Sequence, residues 1–386
     1  MRLPIENASP TTVRMNGRDF LAFGGCNYMG LAHDQEVHAA LAAALARFGI
    51  STTASRETTG NTRLHEQLES QLAAFTGQEA AILSAEGYTA NFAACQAIAD
   101  TCRVALIDSH SHRSLRNAAT AAGMFVFEYE HLNVDSAAWL ARQNADAGVA
   151  ILTDSVFAAD GAVAPLSDLL HILPCTRATL VIDDCHGFAV LGPNGEGAIR
   201  HFGLDDERIL MTTTLAKGLG CYGGAVIGRS GIIKRVQDLA WVYRSSTPVP
   251  PPLAGAALAA LRILAREGGA RIAALRANAL RLSAGLARLG LLAPRSIPGH
   301  NAHGTGPTPA LIPIFTFWFE PATAMRAVYE HALASGVLAP LIAYPGGPTE
   351  HYFRIVVNAM HSPADIDQLV HAIEAGMSAA GVVPSR

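Results

Sequence analysis

Through the middle of the chain, apolar residues occupy successive positions in short runs, at 80–83, 104–107, 125–127, 149–152, 179–182, 209–211 and 225–227. A strand with one wet face alternates apolar and polar residues, whereas a strand covered on both faces is apolar along its length. The segments between the runs, such as 114–122 and 166–173, carry apolar residues at helical spacing. Strand and helix in alternation predict βαβ units and a mainly parallel sheet. Such sheets collect ligands at the carboxyl ends of their strands. Asp108, Asp154, Asp183 and Thr214 all fall there.

The pattern breaks at Thr247-Pro248-Val249-Pro250-Pro251-Pro252, a stretch suited to a domain boundary. A long helical pattern follows over 253–289, then a polar Gly/Pro/His loop at 298–309. Runs at 311–317 and 353–357 predict two strands of a smaller unit, closed by a helix from Ala364. The expected fold is α/β. An N-terminal segment (1–45) precedes a large domain (46–247) built on the mainly parallel sheet. A smaller C-terminal α/β domain (248–386) includes the connecting long helix.

Composition narrows the function classes. The chain has 386 residues, 35 of them glycine, is 50% hydrophobic and 16% charged, and carries a net charge of -4. That length accommodates one large and one smaller domain, and the low charge fits extensive burial, part of it at a subunit contact. Mild acidity gives nucleic acid no footprint. The six cysteines include no Cys-x-x-Cys pair, so neither a disulfide framework nor a zinc site is indicated and a reducing cytoplasm is expected. The N-terminus has no apolar signal core. The Ala-rich stretches 39–46 and 254–265 are too short or too charged to span a bilayer.

The candidate chemistry lies in two segments. Asp183-Asp184-Cys185-His186-Gly187 ends one apolar run, and Thr212-Thr213-Thr214-Leu215-Ala216-Lys217-Gly218-Leu219-Gly220 follows another. Asp183 with His186 reads either as a capping aspartate beside a surface histidine or as a carboxylate whose burial demands a cationic partner. Lys217 reads as a surface lysine or, with no other charge between Met211 and Gly228, as an amine held neutral enough to bond an aldehyde. Together an amine, a carboxylate and an imidazole are what pyridoxal 5'-phosphate (PLP) needs. The carboxylate keeps the pyridine nitrogen protonated, so that the ring accepts electrons. Gly87-Tyr88 opens a helix and suits a phosphate. His112 fits either a stack on a planar ring or a capping turn, and His110 with His112 lacks a third metal ligand nearby. Arg354, inside an apolar run, pairs with either a structural or a substrate carboxylate.

These segments, in this order, resemble the α-oxoamine synthase family of fold-type I PLP-dependent transferases, which are aspartate aminotransferase-like in fold. The resemblance runs from Asn27-Tyr28-Met29-Gly30-Leu31 through Arg56-Glu57-Thr58-Thr59-Gly60, Gly87-Tyr88, the 108–115 segment and Val156-Phe157-Ala158-Ala159-Asp160-Gly161 to Asp183–His186, Thr214–Lys217 and the 354–361 segment. It implies that Lys217 bonds the cofactor and acts as the base at the amino acid's Cα. His112 would stack on the ring, Asp183 would pair with its nitrogen and His186 would contact its phenolic oxygen. Thr214 and the Gly87-Tyr88 backbone would hold the phosphate, with Ser246 from the neighbouring subunit of a homodimer. Arg354 would bind the amino-acid carboxylate, with Asn27 and Cys26 nearby. The implied reaction is a decarboxylative Claisen condensation. Glycine, alanine or serine joins an acyl thioester of CoA or an acyl-carrier protein, giving an α-aminoketone, CO2 and free thiol.

Three positions depart from the family pattern. Cys26 stands where an asparagine helps near the substrate carboxylate, Ala158 where serine is frequent, and Asn358 where a small hydroxyl residue follows the arginine strand. The usual N-terminal helix at the acyl entrance is also expected to be missing. A lyase, aldolase or aminotransferase on the same fold is the second reading. A non-catalytic PLP-fold module is the third, disfavoured by the lysine, aspartate and both histidines all being present.

Overall fold

A computed structural model describes residues 4–174, 176–291, 312–344 and 347–382. The chain opens with a meander of β1 (Asn7–Ala8), β2 (Thr12–Met15) and β3 (Arg18–Ala22), followed by helices α1 (Gln35–Phe48) and α2 (Arg63–Thr76). The expected division after residue 45 falls inside α1.

All the central apolar runs form strands: β4 (Ala80–Ser84), β5 (Val104–Asp108), β6 (Phe125–Tyr129), β7 (Val149–Asp154), β8 (Ala178–Asp183), β9 (Ile209–Thr214) and β10 (Gly224–Gly228). They build one 7-stranded sheet in the order β4-β10-β9-β8-β7-β5-β6. β10 runs antiparallel to both neighbours, and every other pairing is parallel. Successive side chains of β8 go to opposite faces: Val181 joins the apolar cluster on one side, Leu180 and Ile182 the cluster on the other. Both faces are covered, which is why the runs do not alternate. The edge strand β6 is the exception, with Phe125 64% exposed and Phe127 also exposed. Helices α3 (Gly87–Ile98) and α4 (Arg113–Ala121) follow β4 and β5, bringing their N-termini to the carboxyl edge of the sheet.

The Pro-rich break leads straight into a 38-residue helix, Pro251–Arg288, with proline in its first turn, where the missing N–H costs no hydrogen bond. Beyond it, β11 (Ile314–Phe317), β13 (Leu341–Ile342) and β14 (Tyr352–Val356) form an antiparallel sheet in the order β11-β14-β13. The helix Pro363–Ala379 closes this unit. The expected 298–309 loop and the start of the 311–317 run lie outside the described residues. Between β11 and β13, β12 (Val337–Leu338) pairs parallel with β3, so the N-terminal meander and the C-terminal unit share a 4-stranded sheet.

Candidate active site

The carboxyl ends of β7, β8 and β9 and the N-termini of α3 and α4 surround a pocket of about 240 Å³. Gly87, Tyr88, His112, Asp183, His186, Thr214 and Lys217 line it, as do Glu86, Ser114, Asp154, Val156, Ala158 and Cys185. Asp154 and Asp183 are register partners on adjacent parallel strands, so two carboxylates meet at one edge.

Asp183 is 4% exposed. Its Oδ2 accepts from Asn91 Nδ2 at 2.7 Å and its Oδ1 from the Cys185 amide at 3.0 Å. Fully buried Asn91 also donates to Ser114 Oγ at 2.8 Å and accepts from Thr212 Oγ1 at 2.5 Å. Ser114 Oγ lies 2.7 Å from His112 Nδ1, so one continuous network joins the carboxylate to the imidazole. The His112 amide donates to both oxygens of Asp154, at 3.1 and 3.2 Å. Burial, reinforced by the Asp183 charge, pushes the Asp154 carboxyl well above the usual range. Burial likewise lowers His112 from its ordinary value, favouring the neutral ring. His112 is also the cap of α4, the capping-turn role open to it in the sequence, and it lines the pocket.

Lys217 Nζ lies 2.8 Å from His186 Nε2, and His186 Nδ1 lies 2.7 Å from the Tyr28 hydroxyl. Burial drives His186 well below its ordinary value, and the charges of Lys217 and Arg354 add to the effect. The turn carrying Lys217 is closed by Leu215 N to Gly223 O and Gly220 N to Lys217 O, both 2.9 Å. Gly220 sits at φ +62° with its backbone against Ala32, where a Cβ would come within 2.3 Å of an amide nitrogen. Only glycine fits there.

Gly87 packs so closely on β9 that a Cβ would lie 2.7 Å from Thr214 Cβ. Thr214 Oγ1 donates to Gly223 O and accepts from the Ala216 amide, each at 3.2 Å. The Tyr88 ring meets His112 edge-on at 6.2 Å, and its hydroxyl accepts from Asn117 at 2.6 Å. Arg354 Nε donates to Ala158 O at 2.6 Å, and its charge acts on Tyr28 and His186. Arg354 therefore stands beside the pocket without being part of its wall.

The remaining sequence candidates do not line the pocket. Asn27 accepts from the Ala32 amide at 3.3 Å within its own turn, and Cys26 adjoins Tyr28 through a 2.8 Å backbone bond. Ser246 follows the short helix Trp241–Ser245, its hydroxyl donating to Val242 O, outside the pocket of its own chain. Asn358, noted as a departure from the family pattern after the arginine strand, clamps the backbone. Its amide donates to Pro10 O at 2.7 Å, and its oxygen accepts from the Met360 and His361 amides. His110 stacks on His131 at 4.0 Å; among the described residues no group of three or more His, Cys, Asp or Glu is arranged to hold a metal. Asp108 is committed to His131 and the Leu132 amide.

Sequence reasoning passed over Asn91, Ser114 and Tyr28 as site residues. Asn91 sits one helical turn after Gly87, a spacing that puts both on one face of α3. Tyr28 is separated from His186 by 158 positions, and no local pattern joins them.

A model of the aminotransferase class I and II family matches residues 18–373. The 8-amino-7-oxononanoate synthase of Thioalkalivibrio sulfidiphilus (strain HL-EbGR7) is 34% identical over 375 residues, covering 96% of this chain and 92% of that protein. That of Halorhodospira halophila (strain DSM 244 / SL1) is 35% identical, covering 95% and 88%. Among solved structures, the serine palmitoyltransferase of Sphingomonas wittichii superposes with a TM-score of 0.90 at 25% identity, covering 99% and 93%. An 8-amino-7-oxononanoate synthase from Francisella tularensis gives a TM-score of 0.77 at 21% identity, covering 94% and 99%, a likeness of fold.

Proposed function

This chain belongs to the aminotransferase class I and II family, and within it we propose an α-oxoamine synthase, a PLP-dependent acyltransferase. It condenses a small amino acid with an acyl thioester, releasing CO2 and thiol to give an α-aminoketone. The observation that carries this reading is the Lys217–His186 contact over a pocket floored by buried Asp183. It occurs in a chain 34% identical to a synthase of this reaction class over 96% of its length.

The residues present fit PLP. The pocket combines an amine, a buried carboxylate, a flat imidazole and a helix N-terminus whose first residue has no side chain in the way. Lys217 would bond the cofactor, Asp183 its ring nitrogen, His186 its phenolic oxygen and His112 its ring face. Gly87, Tyr88 and Thr214 would hold its phosphate. When bound, PLP supplies an electron sink for the bonds at an amino acid's Cα.

The chain's own groups supply the rest. Both oxygens of Asp183 accept from neutral donors, Asn91 and the Cys185 amide, which fixes the carboxylate in the pocket to meet a ligand N–H. Lys217 Nζ takes up and returns the proton at the substrate's Cα. Arg354, anchored through Nε to Ala158 O, keeps its planar fork for the substrate carboxylate and so selects which Cα bond is aligned for cleavage. Ala158, lining the pocket with Val156, leaves room where a serine would add a hydroxyl. The amino acid is taken from glycine, alanine and serine, and the acyl carrier from CoA and acyl-carrier protein. The active form is taken to be a homodimer in which Ser246 completes the partner's phosphate site.

The test loads the purified protein with PLP and mixes it with glycine, alanine or serine and a panel of acyl thioesters. Visible absorbance that Lys217→Ala abolishes, with CO2 and free thiol released only when both substrates are present, is expected. A wild type left colourless by PLP overturns the reading. Transfer of the amino group to a 2-oxo acid without thiol release replaces it with the aminotransferase reading.

A further inference from the structure

Tyr28 is 0% exposed, and its hydroxyl is 2.7 Å from His186 Nδ1, while the opposite ring nitrogen is 2.8 Å from Lys217 Nζ. A neutral imidazole has one N–H, so one of these contacts is a donation from the ring and the other an acceptance by it. The hydrogen-bond partners decide which. If Nδ1 held the proton, it would donate to the Tyr28 oxygen, and the phenol's own hydrogen would need another acceptor. Among the described residues, the groups acting on the Tyr28 hydroxyl besides His186 are Cys26 and Arg354. A guanidinium only donates and a thiol accepts weakly, and a buried hydroxyl without an acceptor is costly. If Nε2 holds the proton, Tyr28 donates to Nδ1 and every hydrogen is placed.

We infer that Tyr28 is a positioning residue: its hydroxyl donates to Nδ1 and holds His186 as the Nε2–H tautomer, which presents a donor to the nitrogen of Lys217. The inference rests on the function proposed above. It extends the site to a residue far away in sequence that does not itself line the pocket and reaches Lys217 only through His186. A nitrogen facing an N–H is favoured while it keeps its lone pair. For the Lys217 nitrogen to take up a proton and donate it to the ring, the imidazole must shift its own proton from Nε2 to Nδ1. His186 stays neutral throughout, but the Tyr28 hydrogen loses its acceptor. The hydroxyl thus opposes protonation two bonds along the chain of contacts. Burial, which raises Tyr28 well above its ordinary value, keeps the phenol a donor.

Other charged or titratable groups face the same atoms. Asp154, Cys185, His112 and Tyr344 feel the Lys217 charge. Asp183 acts on Asp154, and Arg354 and His112 act on His186. All remain in Tyr28→Phe, which keeps the ring and removes only the hydroxyl.

In the PLP-loaded variant the pH midpoint of the visible absorbance should rise by roughly half to one unit, the size of one neutral hydrogen bond. In turnover, kcat should fall several-fold with KM little changed, and the acidic limb of kcat should move in the same direction. A wild type that condenses its substrates beside a variant with unchanged midpoint and profile overturns the role of Tyr28 and leaves the function standing. A wild type that takes up no PLP overturns the function. A second measurement does not depend on the variant folding. In wild-type protein labelled with 15N-histidine, the resonances absent from His186→Gln should report a protonated Nε2 and a bare Nδ1. The opposite pattern overturns the inference.

Discussion

Asp183, the last residue of β8, and Asp184, the residue after it, are neighbours with opposite assignments, decided by which way each side chain points. Asp183 turns into the pocket with its charge supported by Asn91. Asp184 turns into the protein, where Ser155 Oγ at 2.5 Å and the Ala198 amide at 2.9 Å donate to it. Burial outweighs those bonds and lifts Asp184 from 3.8 to about 7. A raised carboxyl binds its proton more tightly in the folded state. Its contribution to stability is therefore complete below pH 3.8 and is lost as pH rises through about 7. Asp184→Asn can keep both contacts and removes the titration. Its stability should gain on wild type between pH 3.8 and about 7 and then level off, at about 1.4 kcal/mol per unit, read from melting curves of the two proteins. Parallel melting curves across that range would show that Asp184 stays ionised. The sequence made Asp183, His186, Lys217 and His112 legible because each stands out in an apolar or turn-forming stretch. Asn91 is buried in a mostly apolar helix and Ser114 opens an amphipathic one, and neither is remarked until its partner is known. The clamp made by Asn358 was not legible for a related reason: its partner, Pro10, lies 348 positions away.

At the scale of elements, the strand ends matter more than the strands. Each apolar run was readable because coverage on both faces leaves little choice of residue. The strands continue into Ser84, Asp108, Asp154, Asp183 and Thr214, which polarity marks as loop although the hydrogen-bond ladder still holds them. β6 kept the apolar signature without the coverage, because an edge strand lacks a neighbour on one side. The meeting of α3 and β9 has the tightest tolerance. In Gly87→Ala, the new methyl group at 2.7 Å from Thr214 Cβ must displace either the strand end or the first turn of the helix. PLP affinity should fall on the order of tenfold, equivalent to about 1.4 kcal/mol. The apo-protein should unfold within about 1–2 kcal/mol of wild type, because alanine's helix preference offsets part of the crowding. Equilibrium PLP titration beside urea unfolding separates the two. Unchanged PLP affinity would place the phosphate elsewhere.

For the whole molecule, Ser246 is the residue on which the proposed homodimer can be tested. It lies outside its own pocket and next to a helix whose Trp241 is 66% exposed. As a homodimer the protein should scatter light as twice 40.5 kDa, and Ser246→Ala should weaken PLP retention severalfold without moving a group in its own pocket. A mass of one chain, or unaltered retention, removes the partner's share of the site. The Pro-rich break and the long helix after it were legible, since proline and sustained periodicity are local signals. The joining of the first strands to the last unit was not, because it depends on partners at opposite ends of the chain. β3 pairs with β12, the Val356 amide donates to Phe23 O, and the Ala359 amide donates to Tyr28 O. One such tie, from Arg18 to Ala334, closes 316 positions. At roughly 5–20 residues per second of synthesis, the opening strands leave the ribosome tens of seconds before their partners exist. A bare β edge is adhesive for that interval, so the nascent chain is at its most aggregation-prone in its first strands, and holding chaperones should matter most there.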